Sequence, residues 1–164
     1  MPLDIIVLPL RVIRPRKGAE ILMVTIVDDH ASFRNSMRRL VESFGYRTMA
    51  FKSARQFLAS KSARSSACLI LDVHMPRIDG FEVTERLLLR NSKLPIVLQS
   101  GNVTDSDIER ARALGALLLQ KPVHAEKLRR TLERLCHRIR KKKRPQPKRP
   151  RLTRTSSDRK ARVH

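Results

Sequence analysis

The 164-residue chain carries 36 Lys and Arg against 15 Asp and Glu, a formal charge of +21, with 41% hydrophobic residues. That is enough for one domain with a proper core and some terminal excess. Two cysteines, Cys68 and Cys136, stand outside any CxxC spacing and exclude a disulfide framework, and no stretch nears the roughly 18 apolar residues of a membrane span. Aromatic residues stop at Phe81, so aromatic base-stacking platforms are excluded from the second half.

Residues 1–21 hold Pro2, Pro9 and Pro15 and a basic cluster over 14–17, and are expected to be a disordered extension. Their apolar run 5–10 precedes its basic residues, the wrong order for a secretory signal, so a cytoplasmic protein is expected. Met23, just ahead of the first strand pattern, reads as an alternative start.

From residue 22 strands and helices alternate. The run 22–27 is apolar and β-branched. Phe33, Met37, Leu40, Val41 and Phe44 recur at three- and four-residue steps, predicting a helix over 31–44 that Gly45 stops. A second strand follows at 46–51, then a helix over 54–60 with Ser53 as its N-cap. A third strand lies at 67–71 and a helix at 81–89. The fourth strand is 95–98, where Pro95 suits only the first position. Thr104 followed by acids opens a helix ending at Gly115. The last strand is 116–119 and the last helix 125–139, with Leu128, Leu132, Leu135 and Ile139 on one stripe. Five short apolar strands alternating with helices imply an α/β fold: a five-stranded parallel sheet covered on both faces.

In an open parallel sheet, ligands bind beyond the carboxyl ends of the strands. Strand one ends in Asp28 and Asp29, strand three in Asp72, strand four in Ser100 and strand five in Lys121. Taken singly, each residue has a plain reading. Asp29 serves as a helix cap, Asp72 as a loop acid, Ser100 as turn chemistry and Lys121 as an exposed strand end. Together they describe one site. Three convergent carboxylates repel one another unless a cation joins them, and oxygen-only ligands of this kind favour Mg²⁺. A carboxylate is also a nucleophile toward phosphorus, and the transfer then needs mainly positioning and charge neutralisation.

The segments VTIVDDH (24–30), LILDVHMPRIDGFEV (69–83), IVLQSG (96–101) and GALLLQKPV (115–123) resemble the response regulator receiver family of two-component signalling, with the flavour of FixJ-type receivers. The resemblance covers 22–140 and implies a flavodoxin-like, doubly wound (βα)5 three-layer sandwich. It implies that Asp72 accepts the phosphoryl group and that Asp28, Asp29, Asp72 and the backbone carbonyl of His74 hold Mg²⁺. Ser100 and Lys121 would contact the phosphoryl group, with a cis bond before Pro122, and Asp79-Gly80 would turn the chain into the third helix. It implies a sensor histidine kinase as partner, and homodimerisation through the face of helix 104–114, strand 116–119 and helix 125–139. The family carries an aromatic residue three before the lysine; this chain has Leu118. His74 and Asn102 occupy the family's variable positions, two after the acceptor and two after the Ser.

Residues 141–164 hold eleven Lys or Arg against Asp158 alone and carry no apolar periodicity. They read as a disordered, solvated tail that cannot fold a helix-turn-helix output domain. The alternative function is a nucleic-acid binder that uses this tail, weakly and salt-sensitively, on a degenerate receiver scaffold. A phosphatase or phosphotransferase on a similar scaffold lacks the DxD spacing expected after the first strand.

Overall fold

The computed structural model describes residues 21–143. Of the expected extension over 1–21 all but Ile21 lies outside the described residues, as does the expected disordered tail over 141–164 beyond its first three residues, which continue the last helix.

The elements run β1 (Met23–Val27), α1 (Ala31–Ser43), β2 (Arg47–Phe51), α2 (Ala54–Ala59), α3 (Ser62–Ser65), β3 (Cys68–Asp72), α4 (Gly80–Leu89), β4 (Ile96–Ser100), α5 (Asp105–Ala113), β5 (Leu117–Gln120) and α6 (Ala125–Lys143). Each strand and long helix read from periodicity is present within a few residues. The one-turn α3 was not foreseen; four residues are too few to show a helical repeat. Pro95 precedes β4 and its carbonyl accepts from the Leu69 amide, so its missing N–H costs the sheet nothing.

The sheet is wholly parallel, in the order β2-β1-β3-β4-β5, the doubly wound arrangement that the family resemblance implied. Its two faces bury separate cores. On one, Phe57 of α2, Phe81, Val83 and Leu87 of α4 and Ala111 of α5 cover Leu69, Leu71, Ile96 and Leu98. On the other, Met37 and Val41 of α1 with Leu128 and Leu132 of α6 cover Val24, Ile26, Ile70 and Val97. Strands buried on both faces cannot alternate apolar with polar, which is why β1 and β3 read as continuous hydrophobic runs. Both cysteines are buried in the second core, where they pack against its aliphatic side chains.

The caps follow local chemistry. Ser53 accepts from the Gln56 amide, Asp79 from the Glu82 amide, and Thr104 forms a reciprocal capping box with Asp107. Gly45 and Gly115 follow α1 and α5 at positive φ, where a side chain would be strained.

Candidate functional site

Register decides what meets at the sheet's carboxyl edge. β1 pairs with β3 so that Val27 lies level with Leu71. Their successors, Asp28 and Asp72, are therefore neighbours. β4 pairs with β5 through Ser100 and Gln120, which delivers Lys121 to the same edge. The strand order reverses between β1 and β3, the switch point where doubly wound sheets leave a crevice.

Asp28 and Asp72 are almost fully buried. The Lys121 ammonium lies 2.9 Å from Asp28 Oδ2 and 3.0 Å from Asp72 Oδ1, and donates to both. The same Nζ stands 4.0 Å above the Phe33 ring, a cation–π contact that helps hold it inward. The bond between Lys121 and Pro122 is cis, as the resemblance implied. Burial pushes the Asp72 carboxyl above its ordinary value, since a charge in a poorly solvated site is costly. Hydrogen bonding and charge from Lys121, and a backbone hydrogen bond from His74, pull it back down.

Asp29 does not cap α1. His30 occupies the N-cap without a side-chain hydrogen bond, while its amide donates to Asp28 Oδ1 at 2.8 Å. His30 Nδ1 approaches Asp29 Oδ1 to 3.0 Å without making a hydrogen bond to it, so that buried oxygen has no donor. Ligand atoms of Asp28, Asp29, His30 and Asp72 all lie within 4.8 Å of one another. An orphaned carboxylate oxygen facing two further acids is a donor set that suits a hard divalent cation.

Ser100 is fully buried at the end of β4. Its hydroxyl donates to the Asn102 carbonyl and lies 3.1 Å from His74 Nε2. The edge thus gathers all the acids, the hydroxyl and the ammonium named from sequence. Two contributors were not foreseen. Arg34 donates to the backbone carbonyls of Asp28 and Asp29 at 2.7 and 3.3 Å, and so holds the acid-bearing loop. Phe33 was read only as a helix-stripe residue. Their signal is positional: both fall on the first turn of the helix that follows the acid pair. The His74 ring on Ser100 likewise shows only once β3 and β4 lie side by side.

Leu118, in the place of the family's aromatic residue, is half-buried and packs on the core shared by α4 and α5. No helix among the described residues is long and apolar enough to cross a membrane.

Comparison with known proteins places these features in a family. Residues 24–133 match the response regulator receiver domain. The chain is similar to the transcriptional regulatory protein FixJ of Bradyrhizobium diazoefficiens, 32% identical over 111 residues, covering 67% of this chain and 54% of that protein. It is similar to part of the sensory/regulatory protein RpfC of Xanthomonas campestris, 30% identical over 129 residues, 76% of this chain and 18% of the relative. Among solved structures, FixJ-N superposes with a TM-score of 0.66 at 25% identity, covering 73% of this chain and 96% of that one. The chemotaxis protein CheY4 of Vibrio cholerae gives 0.65 at 27% identity, over 71% and 99%. The chain spans about half the length of FixJ. Because the match runs across all five strands and the edge where their acids converge, the chain belongs to the response regulator receiver domain family of two-component systems, signalling domains rather than conventional enzymes.

Proposed function

We propose that this receiver takes a phosphoryl group onto Asp72 from a sensor histidine kinase and signals through the surface that the modification reshapes. The observation that carries the reading is the Lys121 ammonium bridging Asp28 and Asp72 at 2.9 and 3.0 Å, since it holds the acceptor beside a cation that a phosphoryl group can recruit.

The Asp72 carboxylate attacks phosphorus in line, and the kinase imidazole leaves. Burial keeps this carboxylate poorly solvated, so little water must be stripped from it before attack. Asp28, Asp29, Asp72 and the His74 carbonyl would hold Mg²⁺, which when bound neutralises charge on the transferring oxygens. Lys121 exchanges its bond to Asp72 for one to a phosphoryl oxygen. The Ser100 hydroxyl gives up the Asn102 carbonyl and the His74 ring to donate to another. That exchange moves β4 and its loop against Leu118, and the change is read on the face of α5, β5 and α6 by a partner or a second copy. With Leu in place of an aromatic ring, the readout works through repacking of a small aliphatic side chain.

Incubation with acetyl phosphate and Mg²⁺ should label the chain with an acid-stable, hydroxylamine-sensitive phosphoryl group. Asp72→Ala should abolish it. Full labelling of that variant ends the reading. The alternative of a nucleic-acid binder on a degenerate scaffold gains no support here: the acceptor, acid pair and lysine converge, and the basic tail beyond residue 143 lies outside the described residues.

A further inference from the structure

At the opposite, amino-terminal end of the sheet, a cleft of about 620 Å³ opens where α2, α3 and α4 finish. Four cationic side chains line it: Lys61 and Arg64 from the α2–α3 region, Arg90 after α4, and Lys93 on the way to β4. All four are exposed, and no acidic residue lines the cleft. Some surface arginines elsewhere find acids, as Arg86 does with Glu82, Arg110 with Glu85, and Arg129 and Arg130 with Glu126, while the exposed Arg39, Arg47, Arg55 and Arg112 join no ion pair among the described residues. None of the four cleft cations joins an ion pair among the described residues.

Helix carboxyl ends attract cations, and three helices end here. Those ends are already satisfied by backbone. The Ser60 amide donates to Phe57, Ser66 to Ser62, Asn91 to Leu88 and Ser92 to Leu87. Four full positive charges also exceed the partial charges of three helix ends, so a net attraction for anions remains. Beneath the cations the cleft has an apolar floor of the half-buried Leu58, Leu94 and Pro95, backed by the buried Phe57 and Leu87. Its volume falls in the range of small-molecule sites, and an apolar floor rimmed by a few polar groups is their usual construction.

We propose that this cleft binds a phosphorylated small molecule with an apolar or aromatic body, of the size and charge of a nucleoside triphosphate. The body packs on Leu58 and Leu94, and the phosphates take the Arg64 and Arg90 guanidinium groups, which suit phosphate geometry. The site is separate from the phosphoacceptor edge and does not rest on the role of Asp72.

The test is calorimetric titration of the full chain with ATP, inorganic phosphate and adenosine, with thermal melting to confirm folding. ATP should saturate one site, more weakly as salt rises. The Arg64→Ala/Arg90→Ala double variant should weaken binding by about tenfold or more, with Lys61→Ala/Lys93→Ala as an independent second pair. Asp72→Ala should bind ATP as the parent does. Binding that survives both pairs of substitutions belongs to other basic residues and overturns the proposal. So does loss of binding in Asp72→Ala, or inorganic phosphate or adenosine binding as tightly as ATP. If an acidic peptide titrates the cleft and ATP does not, the surface is a protein dock and the proposal fails.

Discussion

Removing the Lys121 ammonium leaves two carboxylates, Asp28 and Asp72, buried beside one another without a compensating charge. Lys121→Ala should therefore lose about 3 kcal/mol of stability near neutral pH, measured by urea unfolding. The loss should shrink in acid, as the carboxyl groups take up protons. Asp72 supplies the sign of a second effect. Its carboxyl is raised in the folded chain, chiefly by desolvation, so the native state holds that proton more tightly than the unfolded chain. The stability this contributes is present below the ordinary carboxylate value and is lost as pH rises through the raised one. Asp72→Asn, which carries no charge to bury, should gain in melting temperature over the parent as pH climbs from about 3 to about 7 in chelator. A flat difference would refute the assignment. At this scale the identity of Asp28, Asp29, Asp72, Ser100 and Lys121 was legible, because each directly follows an apolar run. The contacts of Phe33, His74 and Arg34 were not, because each depends on a neighbour distant in sequence or on the path of a loop.

Among the elements, α4 places the acceptor most directly. Gly80 opens it, its amide bonds the Val73 carbonyl at 2.9 Å, and a Cβ there would overlap the Asp72 carbonyl oxygen. Only glycine permits this approach of helix to strand. Gly80→Ala should cost about 2–3 kcal/mol in urea unfolding, because backbone must shift to admit the methyl group. It should also slow labelling of Asp72, since the atom displaced belongs to the acceptor's own peptide unit. Thr104 tests a local device remote from that peptide. Its capping box with Asp107 is reciprocal, and Thr104→Ala should lose about 1 kcal/mol. Caps of this kind are written in adjacent residues and were readable for Ser53 and Thr104. The close approach of Gly80 to β3 was not readable, because the sequence places Asp79-Gly80 in a turn without saying what lies above it.

At the scale of the whole molecule, two cores on opposite faces of one sheet clamp β1 and β3 together, and their shared end is the site. Ligand binding there is coupled to global stability. Mg²⁺ at about a hundred times its dissociation constant should stabilise the parent by about 2.7 kcal/mol. Asp72→Asn should respond far less, having exchanged a charged ligand for a neutral amide. Equal stabilisation of both proteins would place the ion elsewhere, and differential melting with and without chelator decides between these outcomes.

The sequence alone determined the alternation of strands and helices, the parallel sheet and the residue types at each strand end, because hydrophobic periodicity and caps are local properties of the chain. Only the tertiary structure decided which strand ends touch. Pairing of β1 with β3 sets Asp28 beside Asp72, pairing of β4 with β5 carries Lys121 to both, and packing of α1 lays Phe33 against that lysine. Distances between carboxylates and an ammonium follow from register and burial, and these are fixed by long-range packing that no local pattern encodes.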